Sequence, residues 1–202
     1  MPFLKKEKIP AKLTNIDQNN NIVLDAGVLN NTLGEIVYNL ADEYIKVSCY
    51  SIYFRTPGEH TLENLSFDME LQVNCTGRKP YDADNYSKML VSIPVKIATE
   101  TESTTTFFDN FADFTFDKVY EIDHLQSLLG YLTQAKTLYY YEGSKNFPNC
   151  EIGFSFLFVS QPVFISRTKW DMIYNSRDKT KAPQGNNRVT LNGTDVKLLE
   201  FN

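Results

Sequence analysis

Between Leu65 and Asn74 apolar and polar residues alternate without a break. Leu65, Phe67, Met69, Leu71 and Val73 share one parity, and Ser66, Asp68, Glu70, Gln72 and Asn74 share the other. A period of two places the two sets on opposite faces of a β-strand, so the run predicts a strand with one face in a core. Ser51–Arg55 upstream reads as a second, shorter strand that puts Tyr53 and Arg55 on one face. Thr56-Pro57-Gly58 between them is turn chemistry. Strands this closely spaced predict antiparallel pairing.

The same reading extends along the chain. Strand signals recur at Ala11–Ile16, Ile22–Leu24, Glu35–Asn39, Tyr44–Phe54 and Met89–Ile97, punctuated by Gly27, Asn30-Asn31 and Gly34. Pro94 removes a ladder donor, which predicts an edge, a bulge or a strand end there. Cys75–Asn85 reads as a surface loop, and Thr99–Thr106 as a polar one. Phe107, Phe108, Phe111 and Phe114 have helical spacing, which predicts a short amphipathic helix. Asp123–Ala135 carries leucines on one helical face, with His124 in its first turn. Ser166 is a good N-cap for a helix through Trp170 and Ile173. Fourteen Phe and twelve Tyr, within a 13% aromatic content, fit a sheet-rich chain. A length of 202 residues suits one core, with residues 1–20 as a loosely attached N-terminal segment and 21–202 as a single domain.

Charge and termini narrow the function classes. The net charge of −5, with no basic run, argues against nucleic acid as a partner. No apolar run is long enough to span a bilayer. Met1–Lys8 lacks the apolar core of a secretory signal. The three cysteines, Cys49, Cys75 and Cys150, are an odd count. Without a signal they read as reduced thiols, and the expected location is intracellular, either cytoplasmic or within an organelle or cytoskeletal assembly. Glycosylation sequons begin at Asn30, Asn64, Asn74, Asn85 and Asn192, and without a signal they are expected to stay unmodified.

Thr56-Pro57-Gly58-Glu59-His60-Thr61, followed by Met69-Glu70-Leu71-Gln72, resembles the metal-binding core of the α-carbonic anhydrases. That family writes it F-H-F-H-x-P-S-E-H-T and then M-E-x-H or E-L-H. A second resemblance lies in Tyr139–Phe156, where Gly143, Ser144, Pro148, Cys150 and Glu151 match Y-x-Y-x-G-S-L-T-T-P-P-C-x-E-x-V-x-W. A third is Gln161–Ser166, followed by Asn186-Asn187-Arg188 and Leu191-Asn192-Gly193. The resemblance covers roughly residues 35 to 195. It implies a mainly β (α+β) fold with a large central twisted, mostly antiparallel sheet and a few short peripheral helices.

It also implies that the zinc site is lost. In the family three histidines hold zinc and leave a fourth position for water, which the metal acidifies. Their positions here are Tyr53, Arg55 and Gln72. The whole chain has two histidines, His60 and His124, so three imidazole ligands are arithmetically excluded. A guanidinium cannot be deprotonated and carries the wrong charge for a dication site. Glu59 and Glu70 stand at positions that orient the family's ligands and nucleophile, with Asn146 in place of the threonine between nucleophile and glutamate. Phe154 and Phe156 stand in the family's substrate pocket, where Phe154 replaces a smaller residue.

The same residues offer other chemistry. Cys49, Cys75 and His60 as a metal site, or a cysteine and histidine as a nucleophile pair, lack any supporting motif. Glu59 and Glu70 as an acid–base pair compete with a plainer reading, in which they neutralise a buried Arg55. The expected protein is therefore a carbonic-anhydrase-related pseudoenzyme with no cofactor and no zinc. Its expected role is a structural or protein-interaction subunit of a larger assembly, with other protein subunits as partners. The alternatives are a module binding a small anion or other ligand near Arg55, and residual carbonate dehydratase or esterase activity.

Overall fold

The structure is a computed structural model that describes residues 8–15, 22–40, 43–79, 82–123, 128, 137–144, 152–177 and 197–200. Its strands are β1 (Ile9–Asn15), β2 (Ile22–Asp25), β3 (Gly34–Leu40), β4 (Glu43–Arg55), β5 (Thr61–Leu62), β6 (Leu65–Ser66), β7 (Met69–Lys79), β8 (Asp82–Ile97), β9 (Val119–Ile122), β10 (Thr137–Ser144), β11 (Ile152–Val159), β12 (Val163–Ile165) and β13 (Lys197–Glu200). One α-helix, α1 (Arg167–Ser176), and two short 3-10 segments complete the described elements. Eleven strands form one sheet in the order β13-β10-β11-β8-β7-β4-β2-β1-β9, with β12 beside β8 and β3 beside β4. Only β8 takes parallel partners among the described strands, namely β11 and β12. This is the mostly antiparallel, sheet-dominated fold the sequence predicts. Among the described residues no helix is long and apolar enough to cross a membrane.

The sheet has two unlike faces. Met69, Leu71, Val73 and Cys75 of β7 and Met89, Val91, Ile93 and Val95 of β8 enter the main core, all at 0% exposure. Phe107, Phe108, Phe111, Phe114, Trp170 and Ile173 close over that face. Burial of this kind stabilises by about 25 cal/mol per Å² of apolar surface. On the opposite face Glu70 and Gln72 of β7 are also buried, and the candidate site lies there.

Several expectations are corrected. The alternating strand starts at Met69 rather than Leu65. Glu63 and Asn64 both have positive φ, 51° and 65°, and turn the chain so that β5 and β6 form a separate hairpin with Leu65 exposed. Cys75–Asn85 is not a surface loop, because β7 and β8 run through it as one long hairpin. Gly77 in that stretch lies so close to β4 that an added Cβ would meet the Lys46 carbonyl oxygen at 2.1 Å, so this position admits no side chain. The aromatic helix over Phe107–Phe114 is a 3-10 segment of five residues, Thr106–Asn110. Its tighter turn still buries Phe107 and Phe108, and Phe111 and Phe114 follow in the irregular chain beyond it. Ile9–Asn15 is not loosely attached: β1 pairs with β2 on one side and β9 on the other.

The cysteines are also corrected. Cys49 and Cys75 sit opposite each other in the β4–β7 ladder and form a disulfide. The expectation of reduced thiols fails because register, which sequence does not display, decides which cysteines meet. The edge, bulge or strand end expected at Pro94 is not found: it lies inside β8, opposite Glu70 of β7 with no register shift there. On the other side it falls between Lys88–Ser92, which pair with β11, and Val95–Ile97, which pair with β12, so that side tolerates the missing donor. Ser166 caps α1 as expected, its hydroxyl accepting the Lys169 N–H at 3.3 Å. His124, Asn146, Cys150 and most of Asp123–Ala135 lie outside the described residues.

Candidate functional site

Register assembles the site. β4 pairs with β7 so that Tyr53 faces Gln72 and Arg55 faces Glu70. β7 pairs with β8 so that Gln72 faces Ser92, and β8 brings Ser92 beside Phe158 of β11. β10 sets Tyr141 beside Phe156 and Tyr139 beside Phe158. Because strand side chains alternate, all of these lie on the face turned away from the main core. Tyr53, Arg55 and Gln72, predicted from sequence as neighbours, are brought together.

Arg55 is 1% exposed, and its Nε donates to Gln72 Oε1 at 3.2 Å. The same Nε lies 3.4 Å from Glu59 Oε1, and the guanidinium carbon sits 5.1 Å from the centre of the Tyr53 ring. The Gln72 amide donates to Glu59 Oε2 at 3.0 Å and to Glu70 Oε1 at 2.9 Å. These contacts fix which end of the amide is nitrogen, since a carboxylate only accepts. The sequence offered Glu59 or Glu70 as the partner of Arg55. Glu59 forms the ion pair, while Glu70 turns to His60.

Glu70 is fully buried. Its Oε2 accepts the backbone N–H groups of Glu59 and His60 at 3.0 and 2.9 Å, and its Oε1 meets His60 Nδ1 at 2.8 Å. The turn that delivers those N–H groups starts at a cis Thr56–Pro57 peptide. His60 Nε2 lies 2.5 Å from the Tyr141 hydroxyl, and the His60 ring packs 4.8 Å from Phe158. Tyr141 stacks on Phe156 at 4.6 Å. Phe154, Phe156 and Leu90 form a small buried cluster with Tyr141 against it, so the two predicted pocket residues pack as core. The Ser92 hydroxyl, fully buried on this face, has no hydrogen-bond partner among the described residues. Sequence reading missed Tyr141, Phe158 and Ser92. Only the strand pairing reveals them.

Opposing effects set the charges. Burial pushes the Glu70 carboxyl up, but the charge and hydrogen bond of His60, the Gln72 amide and a backbone N–H outweigh it and hold it at about 2. Burial pushes His60 down, yet the Glu70 carboxylate and its hydrogen bond, helped by Glu59, leave it above 6.5. Burial and the two carboxylates push the Tyr141 phenol up, so it stays neutral. With His60 protonated, two cations face two carboxylates.

This pair makes stability depend on pH. The Glu70 contribution is present above its ordinary value of 4.5 and is lost as pH falls toward 2. The His60 contribution is present below 6.5 and is lost as pH rises through its raised folded value. The unfolding free energy from urea denaturation is expected to peak between these limits and to fall on both sides. In His60→Ala the alkaline fall should disappear, and an unchanged profile in that variant would contradict the assignment.

The described residues contain no group of three or more His, Cys, Asp or Glu placed to hold a metal ion. Tyr53, Arg55 and Gln72 do not fit a zinc ion, since a buried guanidinium carries the wrong charge for a dication and already has a carboxylate beside it.

No protein-family model matches the sequence, and no curated protein matches it. Solved structures do match. The α-carbonic anhydrase from Thermovibrio ammonificans, in complex with the inhibitor sulfanilamide, is 15% identical with a TM-score of 0.67, covering 98% of this chain and 76% of that one. A halotolerant carbonic anhydrase from Dunaliella salina is 16% identical with a TM-score of 0.68, covering 95% and 72%. Dioscorin complexed with ascorbate is 18% identical with a TM-score of 0.70, covering 98% and 77%. At this identity the likeness shows the fold.

Proposed function

We propose that this chain, which carries the α-carbonic anhydrase fold, is a catalytically silent member of that architecture and serves as a structural or protein-interaction subunit. One observation carries the first half. Arg55, ion-paired with Glu59 and bonded to Gln72, stands where the family's motif puts a zinc-binding histidine. The network is electrically neutral and offers no nucleophile to a substrate. A hydrolase or hydratase needs an activated water or side chain, and none of Tyr53, Arg55 or Gln72 supplies one.

The interaction half is supported by an edge. Among the described residues β3 pairs with β4 alone, so its outer row of N–H and C=O groups is open to a further strand. Edges of this kind are used for strand addition by partner chains. The partners proposed are other protein subunits; the Cys49–Cys75 disulfide removes the reduced-thiol argument for placing them inside the cell. The competing reading, an anion held by Arg55, is weakened by the Glu59 carboxylate already beside that guanidinium.

Zinc analysis and stopped-flow carbon dioxide hydration test the proposal together. Purified protein is expected to hold well below one zinc per chain and to leave the hydration rate at the buffer value. One bound zinc per chain with saturable hydration, blocked by sulfanilamide, would overturn it. The interaction half is tested by sizing the endogenous protein, which is expected in a stoichiometric complex. A monomer at native level would remove that half.

A further inference from the structure

A second feature lies at the other end of the Thr56–Pro57 turn. A groove of about 400 Å³ opens between that turn, the β6–β7 connection and α1, and its walls include Pro57, Phe67, Asp68, Trp170, Tyr174 and Arg177. None of the network residues Tyr53, Arg55, Glu59, Glu70 and Gln72 lines it. Trp170 and Tyr174 stack at 5.5 Å, one helical turn apart on α1. The Arg177 guanidinium lies 4.4 Å from the centre of the Tyr174 ring.

Arg177 is the informative residue. It is 6% exposed. Its Nη1 donates to the Thr56 carbonyl at 2.8 Å and also to the Thr56 hydroxyl. Its Nε is buried with no partner, and no carboxylate among the described residues forms an ion pair with it. This is the reverse of Arg55. Burial lowers its pKa, and the charge and hydrogen bond of Tyr174 oppose that only in part. The unsatisfied Nε leaves a buried guanidinium with a donor to spare among the described residues, and a carboxylate is the ligand whose geometry suits a guanidinium fork.

We propose that this groove binds a small organic carboxylate with a flat apolar body. Arg177 takes the carboxylate, while Trp170, Tyr174, Phe67 and Pro57 enclose the body. The volume suits a ligand of this size. Asp68 stands half-buried in the same groove, with one oxygen accepting the Ile97 N–H at 2.9 Å. A second carboxylate in the wall disfavours a dianion and favours a ligand bearing a donor away from its own carboxylate. A hydroxy-substituted aromatic acid meets both demands.

Trp170 is the only tryptophan in the chain, so its fluorescence reports on this groove alone. Titration with 4-hydroxybenzoate at constant ionic strength is expected to give a saturable change. The neutral analogue 4-hydroxybenzyl alcohol should bind about tenfold more weakly or worse, the worth of a charge-assisted hydrogen bond. Arg177→Met should lose about the same factor, and Asp68→Asn should erase the preference for 4-hydroxybenzoate over benzoate. A change that never saturates, equal binding of acid and alcohol, or an Arg177→Met variant that binds like the parent would overturn the proposal. Should Arg177→Met fail to fold, melting of the unaltered protein decides. A rise with the acid and none with the alcohol supports the site, and equal shifts refute it. The outcome is independent of whether the protein is catalytically silent.

Discussion

Replacing Arg55 with methionine is expected to lower the free energy of unfolding by about 3–5 kcal/mol, the usual cost of leaving one half of a buried ion pair. The side chains involved are 1% and 6% exposed, so solvent does little to screen the charge left behind. Glu59 would keep the Gln72 amide as a donor but lose the cation, and Gln72 Oε1 would lose the Arg55 N–H. Glu59→Gln should cost a comparable amount for the mirrored reason. The double variant Arg55→Met/Glu59→Gln removes both charges, so its loss should be smaller than the sum by about 1–3 kcal/mol. Urea denaturation of the four proteins measures this directly. Additive losses would show that the two side chains are neighbours without being energetic partners. Zinc content in the variants adds a second reading, since none of these changes introduces a ligand and none should raise it.

Breaking the Cys49–Cys75 bridge is expected to cost about 3 kcal/mol. The two cysteines are 26 residues apart in sequence, and closing a loop of that length in the unfolded chain accounts for a loss of that size. Both side chains are buried, at 1% and 0% exposure, so the Cys49→Ala/Cys75→Ala variant also loses a little packing. Alkylation of the unfolded, unreduced protein checks the premise. Mass spectrometry should find Cys49 and Cys75 protected. Labelling of both would show free thiols and restore the reading the sequence first invites.

The sequence made some of this legible for identifiable reasons. Alternation from Met69 to Val73 marks a strand because one face must be apolar, and Tyr53, Arg55 and Gln72 emerge as neighbours once the strands pair. Ser166 shows itself as a cap because capping is local. The parts that were not legible depend on register or on distant chain. Cys49 meets Cys75 only because a register shift between Cys49 and Ser51 sets the ladder. Tyr141 reaches His60 from 81 residues away, and no local pattern announces it. Cys75–Asn85 looks like a loop because its polar residues and Gly77 outweigh its strand formers. β4 and the partner strand of the hairpin hold it extended, a tertiary effect that propensity does not contain. Phe107–Phe114 reads as an α-helix because a 3-10 turn followed by irregular chain can bury the same four rings.

The place of β8 in the sheet bears on how the chain reaches this state. On one edge β8 has β7, made immediately before it. On the other edge its partners are β11 and β12, which are synthesised only from Ile152 onward. A nascent chain therefore carries an open row of backbone donors and acceptors beside Met89, Leu90, Val91, Ile93 and Val95 until the C-terminal half leaves the ribosome. Pairings of such high contact order form late, and a waiting apolar edge invites association with other chains. Pro94 lies at the seam between the two partners, and a proline beside such an edge makes it a poorer template for a third.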